Sequence, residues 1–197
     1  MKFKDPYIYS ILRSEQTVFS VRDLLILWRE TSSKKVYDRL RYYSQAGKLY
    51  KIKNGFYAKN KDYNKYEFAS KLYSPAYIGL NTVLTMEAIN FQYQSSIYVL
   101  SYLSRELEID GQNYIFKKIK SPVLVNTKGL IQECFYYRSS KERTILDIMY
   151  LYGDFYFDNL SSIDWDKCFD LVDIYGKKSM RARLESYYQD YKEDYGN

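Results

Sequence analysis

Ser32-Ser33-Lys34-Lys35-Val36-Tyr37-Asp38-Arg39-Leu40-Arg41-Tyr42-Tyr43-Ser44-Gln45-Ala46-Gly47-Lys48-Leu49-Tyr50-Lys51-Ile52-Lys53-Asn54-Gly55-Phe56-Tyr57-Ala58-Lys59 is the stretch whose reading decides the fold. At the ~100° advance per residue of a helix, Val36, Leu40 and Tyr43 fall on one apolar stripe. The spacing therefore predicts a helix over about 34–46, stopped by Gly47, a residue favoured just past a helix end. Lys34, Asp38, Arg41 and Gln45 then lie opposite the stripe, with Lys35 and Tyr42 on one flank and Tyr37 on the other. Two β-prone runs, 48–53 and 56–59, enclose Asn54-Gly55, a strong hairpin signal that calls for a type I′ turn.

Upstream of this stretch the chain supplies two more helices. Asp5-Pro6 is a helix start, with Asp as cap and Pro in the first helical position, followed by Tyr7, Ile8, Ile11 and Leu12 at helical spacing. Thr17-Val18-Phe19 reads as a short extended piece. Ser20-Val21-Arg22-Asp23 then opens a second helix as a capping box, with Leu24, Leu25, Leu27 and Trp28 on its apolar side. A helix, a tight turn at 30–33, a longer helix and a lysine-edged hairpin are the parts of a winged helix-turn-helix.

Charge follows the same division. The chain of 197 residues carries a net +6. Residues 1–61 hold 14 Lys and Arg against 5 Asp and Glu, whereas 62–197 hold 16 against 19. The basic excess thus belongs to the first third, as capture of a polyanion by one end requires. Arg and Lys suit guanine edges and phosphates, Gln suits adenine and Asp suits cytosine. The candidate DNA-contacting residues are therefore Ser33, Lys34, Lys35, Tyr37, Asp38, Arg41, Tyr42 and Gln45 on the helix, with Lys51, Lys53, Asn54 and Lys59 on the hairpin. Solvation of a small domain by its lysines explains the charge alone equally well, so spacing carries the argument.

Composition excludes several classes. The absence of histidine removes Ser-His and Cys-His catalysis and His-ligated zinc. Cys134 and Cys168 are too few and too far apart for a disulfide framework, which fits a reducing cytoplasm. No apolar run approaches the ~20 residues needed to cross a bilayer, and residues 1–11 hold Lys2, Lys4, Asp5 and Pro6 where a signal peptide would have its apolar core. No P-loop, GxSxG, dinucleotide fingerprint or paired-carboxylate motif is present, so neither an enzyme nor a cofactor or metal site is expected.

Beyond a polar linker at 59–64, the second domain, 62–197, reads as mixed α+β. Strands are expected at Ala76-Tyr77-Ile78, Ile97-Tyr98-Val99-Leu100, 113–119 and 123–125, with a short helix over 82–89 and a turn at Asp110-Gly111. A helical end follows. Ser139-Ser140-Lys141-Glu142 forms a second capping box, Asp164 caps a helix ended by Gly176, and Ser179 begins the last one. Glu142, Arg143 and Asp147 read as a capped, charged helix exterior, with a functional surface as the alternative. The 25 tyrosines, among them Tyr150, Tyr152, Tyr187 and Tyr191, fit core and core-edge packing better than base stacking. Lys177-Lys178-Ser179-Met180-Arg181-Ala182-Arg183 reads as a solvated helix start.

Three of these stretches, spread over 18–184, resemble the AbiEi-like antitoxins, winged-helix regulators of type IV toxin-antitoxin systems. The first is Ala46 through Tyr57, similar to the family's "GxLxRLxRGxY" wing. The second is Ser74-Pro75-Ala76-Tyr77-Ile78 running into Thr82-Val83-Leu84, similar to "sPxYIS" and the following "SAL" helix. The third is Lys141-Glu142-Arg143-Thr144-Ile145-Leu146-Asp147, similar to "pEKALLDL". Glu87-Ala88 stands where the family often has His-Gly, and Asn54 where the wing often has Arg. The resemblance implies a cytoplasmic autorepressor whose first domain binds inverted repeats in its own promoter as double-stranded DNA. It also implies a second domain that counters a nucleotidyltransferase-like toxin without a stable complex. The competing reading is a winged-helix adaptor that binds protein and no specific DNA; an enzyme using Asp, Glu, Lys or Tyr alone is a third.

Overall fold

The computed structural model describes residues 5–92 and 94–195; Lys2 and Lys4 lie outside them. The protein is mixed α+β and divides into two units, Met1–Lys71 and Leu72–Asn197.

In the first unit, α1 (Pro6–Arg13) is capped by Asp5, whose carboxylate accepts from the Tyr7 amide at 3.1 Å. A short β1 (Val18–Ser20) leads into α2 (Val21–Leu27) through the expected capping box, with Ser20 and Asp23 bonding each other's backbone amides. Next come α3 (Ser33–Gln45), β2 (Tyr50–Lys53) and β3 (Phe56–Ala58), and the strands form an antiparallel sheet in the order β1-β3-β2. Val36, Leu40 and Tyr43 are buried as the spacing required, in one core with Ile8, Ile11, Phe19, Leu24, Trp28, Leu49 and Tyr57. Leu27, expected on the apolar side of its helix, is instead 42% exposed.

The hairpin departs from its expected turn. Gly55 has φ +86°, but Asn54 is not among the residues of positive φ, so the turn is not type I′. The register shifts between Lys51 and Lys53, leaving Ile52 as the extra residue of a bulge.

The boundary also falls later than the polar stretch at 59–64. Helix α4 (Lys65–Leu72) is fastened to the first unit by buried polar contacts. Glu67 accepts from the Thr17 amide at 2.9 Å and from its hydroxyl at 2.6 Å. Lys71 pairs with Asp23 at 3.1 Å and donates to the Val18 carbonyl at 2.7 Å. The residues 62–71 gained by this unit are charge-balanced, so its excess stays at +9.

The second unit holds a six-stranded mixed sheet in the order β6-β7-β5-β4-β9-β8. Its elements are β4 (Ala76–Ile78), α5 (Asn81–Met86), β5 (Ile97–Ser101), β6 (Arg105–Ile109), β7 (Gln112–Lys118), α6 (Ser121–Leu124), β8 (Leu130–Gln132) and β9 (Tyr137–Ser139). Helices α7 (Lys141–Tyr152) and α8 (Trp165–Leu171), a 3-10 turn over Val172–Tyr175 and α9 (Lys178–Tyr195) follow. Asp110 and Gly111 both take positive φ and close the β6–β7 hairpin, a turn the sequence signalled.

Three expectations for this unit are corrected. Residues 123–125 are not a strand: Pro122 starts the one-turn helix α6, and Val123 and Leu124 are buried at its end. The cap of α7 is Ser140, which accepts from the Arg143 amide, while Ser139 is buried against Thr144 at 2.6 Å. Most consequentially, Glu142, Arg143 and Asp147 do not form an exterior; all three are buried.

Arg143 and Asp147 form the polar centre of the unit. Arg143 Nε meets Asp147 Oδ1 at 3.3 Å, both side chains being fully buried. Tyr77 from β4 donates to Asp147 Oδ2 at 2.9 Å, and Tyr175 donates to Oδ1 at 2.7 Å. The guanidinium also donates to the carbonyls of Val123 at 2.8 Å and Lys128 at 2.6 Å. Burial pulls the Asp147 carboxyl above its ordinary value, against Arg143 and the two phenols. Burial and then the Asp147 charge push both phenols up, so they remain donors.

Gly129 shows how closely this centre is packed. It has φ +71°, and a Cβ there would lie 2.9 Å from Leu171 Cδ1 and 3.0 Å from Arg143 Cβ. Gly129→Ala is expected to destabilise the second unit by about 1–3 kcal/mol through strain and overlap, read as a lower urea midpoint.

Most tyrosines pack as expected, Tyr77, Tyr114 and Tyr175 being buried, but Tyr152 is 47% exposed. The basic stretch at 177–183 is internally engaged: Arg181 pairs with Asp173 at 3.1 Å, Arg183 donates to the Met149 carbonyl at 3.0 Å, and Lys177 lies 4.3 Å from the Tyr150 ring centre. Cys168 is buried, which, with Glu142 and Asp164 nearby, pushes its thiol up to about 12; Cys134 is exposed. A thiol reagent at pH 8 should therefore modify Cys134 alone in the native protein and both cysteines only in denaturant.

Candidate nucleic-acid interface

Helix α3 is held by its buried stripe and by two polar ties that orient it, and a third tie joins the end of α2 to α1. The Tyr43 hydroxyl donates to Asp5 Oδ2 at 2.7 Å, joining α3 to the cap of α1. Burial, reinforced by Asp5, pushes this phenol well above its ordinary value, so it keeps its proton. Arg39 stacks 3.8 Å from the centre of the Tyr7 ring and meets Glu30 at 3.4 Å. Trp28 Nε1 donates to the Tyr7 carbonyl at 3.2 Å and to Ser10 Oγ at 3.0 Å. Ser32, the residue before the helix, caps it by accepting from the Lys35 amide.

With that face fixed inward, the other faces solvent. Ser33, Lys34, Lys35, Tyr37, Asp38, Arg41, Tyr42 and Gln45 are all exposed, as are Lys51, Lys53 and Asn54 on the hairpin. The hairpin folds beside α3 to leave a groove of about 720 Å³. Tyr37, Asp38, Arg41 and Gln45 line it from the helix, and Lys51 and Asn54 from the hairpin. These six positions, read from two different elements, come together.

The others do not enter the groove. Lys35 lies 3.6 Å from Glu30, so part of its charge is already met. Tyr42 sits under Lys48, 5.4 Å from its ring centre. Lys59 was expected to hold a phosphate, but it is half-buried and its ammonium donates to the Ser14 carbonyl. That contact ties the end of β3 to the end of α1 and makes Lys59 a structural lysine.

The groove also contains residues not singled out in advance. Ser44, Gly55 and Tyr57 line it. The Ser44 hydroxyl is buried without a hydrogen-bond partner among the described residues. Its helical position between the core stripe and the outer face was the available signal. Tyr57 lies in the core with its phenol raised by burial and then by Tyr37. Groups that donate to anions (Arg41, Lys51) thus stand beside groups that read base edges by donating and accepting (Asn54, Gln45).

Among the described residues, no group of three or more His, Cys, Asp or Glu is placed to hold a metal ion. None of their helices is long and apolar enough to cross a membrane. No family model matches the chain, and no curated protein matches it.

Proposed function

We propose that residues 5–71 are a winged helix-turn-helix domain that binds double-stranded DNA, with α3 as the recognition helix and the β2–β3 hairpin as the wing. The observation that carries this is the convergence of Arg41, Gln45 and Asp38 on the exposed face of α3 with Lys51 and Asn54 of the hairpin. Duplex readout needs both parts at once: base-edge groups on an element narrow enough for the major groove, and cations beside it for the backbone. The +9 excess of this unit is the sign a polyanion requires.

The fuller reading is a cytoplasmic autorepressor and antitoxin of the AbiEi-like kind. It binds inverted repeats in its own promoter, and its second unit counters a nucleotidyltransferase-like toxin without a stable complex. Support comes from the motif order in the sequence and from where the motifs lie. Tyr77 of the second motif and Arg143 and Asp147 of the third meet in one buried network, so these stretches specify a shared scaffold. The chain is then a regulator, with no catalytic role for its side chains.

Footprinting on the DNA upstream of the gene tests the first part, with paired protected half-sites expected. Co-expression with the neighbouring gene tests the second: growth rescue should survive Arg41→Ala, because repression and antitoxicity reside in different units. Co-purification of a stable protein partner with no DNA protection would favour the adaptor instead.

A further inference from the structure

The second unit contains a cleft of about 880 Å³, within the size range of small-molecule sites. Glu142, near the start of α7, lines it and is only 4% exposed. No donor among the described residues hydrogen-bonds its carboxylate. Helix α7's N-terminus and the nearby Lys167 offset its charge, but neither supplies a hydrogen bond. The open side of this carboxylate is the cleft, and a donor entering there would supply the hydrogen bond it lacks.

Among the cations that line the cleft, Lys128, which is exposed, has no bond from its ammonium among the described residues, and the other three are engaged. Arg138 meets Glu87 at 2.7 Å and Glu133 at 2.8 Å, Lys167 meets Asp164 at 2.8 Å, and Lys141 donates to the Ser162 carbonyl. An anionic ligand would find the exposed Lys128 alone uncommitted, whereas a cationic donor meets the carboxylate of Glu142 inside the cleft. Asp170, exposed and without an ion pair among the described residues, lines the same cleft as a second acid. Ile131 and Leu171 add apolar wall, suited to an aliphatic stem.

We infer that this cleft binds a ligand carrying a guanidinium or ammonium head on an aliphatic stem, with Glu142 as the acceptor of the head. The inference is independent of the DNA-binding reading. The same chemistry occurs in free polyamine-like metabolites and in arginine side chains of proteins, and two probes separate them.

Calorimetric titration of the full chain with agmatine, with the blocked tripeptide acetyl-Gly-Arg-Gly-amide, and with inorganic phosphate is the test. Saturable binding of agmatine or of the tripeptide is expected at concentrations up to about 10 mM. Binding of agmatine marks a free metabolite, and binding of the tripeptide alone marks a partner's side chain. Glu142→Gln should weaken either by about tenfold or more. Ile131→Trp, which fills the cleft from exposed β8 and leaves the buried acid in place, should do the same if Glu142→Gln unfolds the protein. No saturable binding of either cation, undiminished binding by the variants, or a preference for phosphate would overturn the inference.

Discussion

Asp147→Ala is expected to destabilise the second unit by about 3–5 kcal/mol, because it leaves the fully buried Arg143 guanidinium without its counter-charge. The loss has a second component. Tyr77 and Tyr175 both donate to this carboxylate, so two buried phenols lose their acceptor in the same substitution. Arg143→Met should be similarly severe, since it frees the carbonyls of Val123 and Lys128 as well as the acid. Because the two residues act as one unit, the double variant Arg143→Met/Asp147→Leu should lose less than the sum of the singles. Urea unfolding reads this cleanly, as each unit contains one tryptophan, Trp28 in the first and Trp165 in the second. In a Trp28→Phe background the transition followed by Trp165 should move to lower urea for both singles. A shift worth less than about 1 kcal/mol would mean that solvent replaces the lost partners, and the network would not be the structural centre described here.

Arg41→Ala is expected to weaken promoter binding by about 1–3 kcal/mol, roughly 5- to 150-fold, and to relax sequence preference at one base pair. Its side chain is exposed, lines the groove and makes no ion pair among the described residues, so nothing in the free protein needs it. The lysines should behave differently. Lys51→Ala and Lys53→Ala should reduce affinity for all duplexes alike and each lower the salt slope by about one. Lys59→Ala should leave that slope unchanged, because its ammonium is held by the Ser14 carbonyl. Equal responses from Arg41, Lys51 and Lys59 would mean diffuse charge attraction without a recognition helix.

Much of the first unit was legible because its signals are local. The stripe Val36, Leu40, Tyr43, the Ser20–Asp23 capping box and the Asn54-Gly55 hairpin each lie within a few residues of sequence. What escaped was set by distant partners. The boundary moved because Glu67 and Lys71 bond Thr17, Asp23 and Val18, which no local composition reveals. Lys59 looked like a free wing cation for the same reason.

In the second unit, Arg105-Glu106-Leu107-Glu108-Ile109 alternates and leads into Asp110-Gly111, a signal for β6, which was not among the expected strands. Strands β8 and β9, three residues each, carry no periodicity at all. The β-branched residues at 123–125 suggested a strand, and Pro122 was the overlooked helix start. Glu142, Arg143 and Asp147 read locally as a solvated face, because charged residues usually lie on one. The partners of Arg143 and Asp147, Tyr77 and Tyr175, lie far from them in sequence on either side, so burial could not be read from α7 alone.

The most direct test of duplex binding by the first unit is fluorescence anisotropy of the labelled upstream promoter, titrated with the full chain at several potassium chloride concentrations. Lys34, Arg41, Lys51 and Lys53 are the exposed cations of the candidate surface without ion pairs among the described residues, so log affinity should fall against log salt with a slope of about −3 to −4. An unrelated duplex should bind more weakly at every salt concentration. Absence of binding at about 50 mM salt, or equal binding of promoter and unrelated duplex, would contradict a recognition helix on α3.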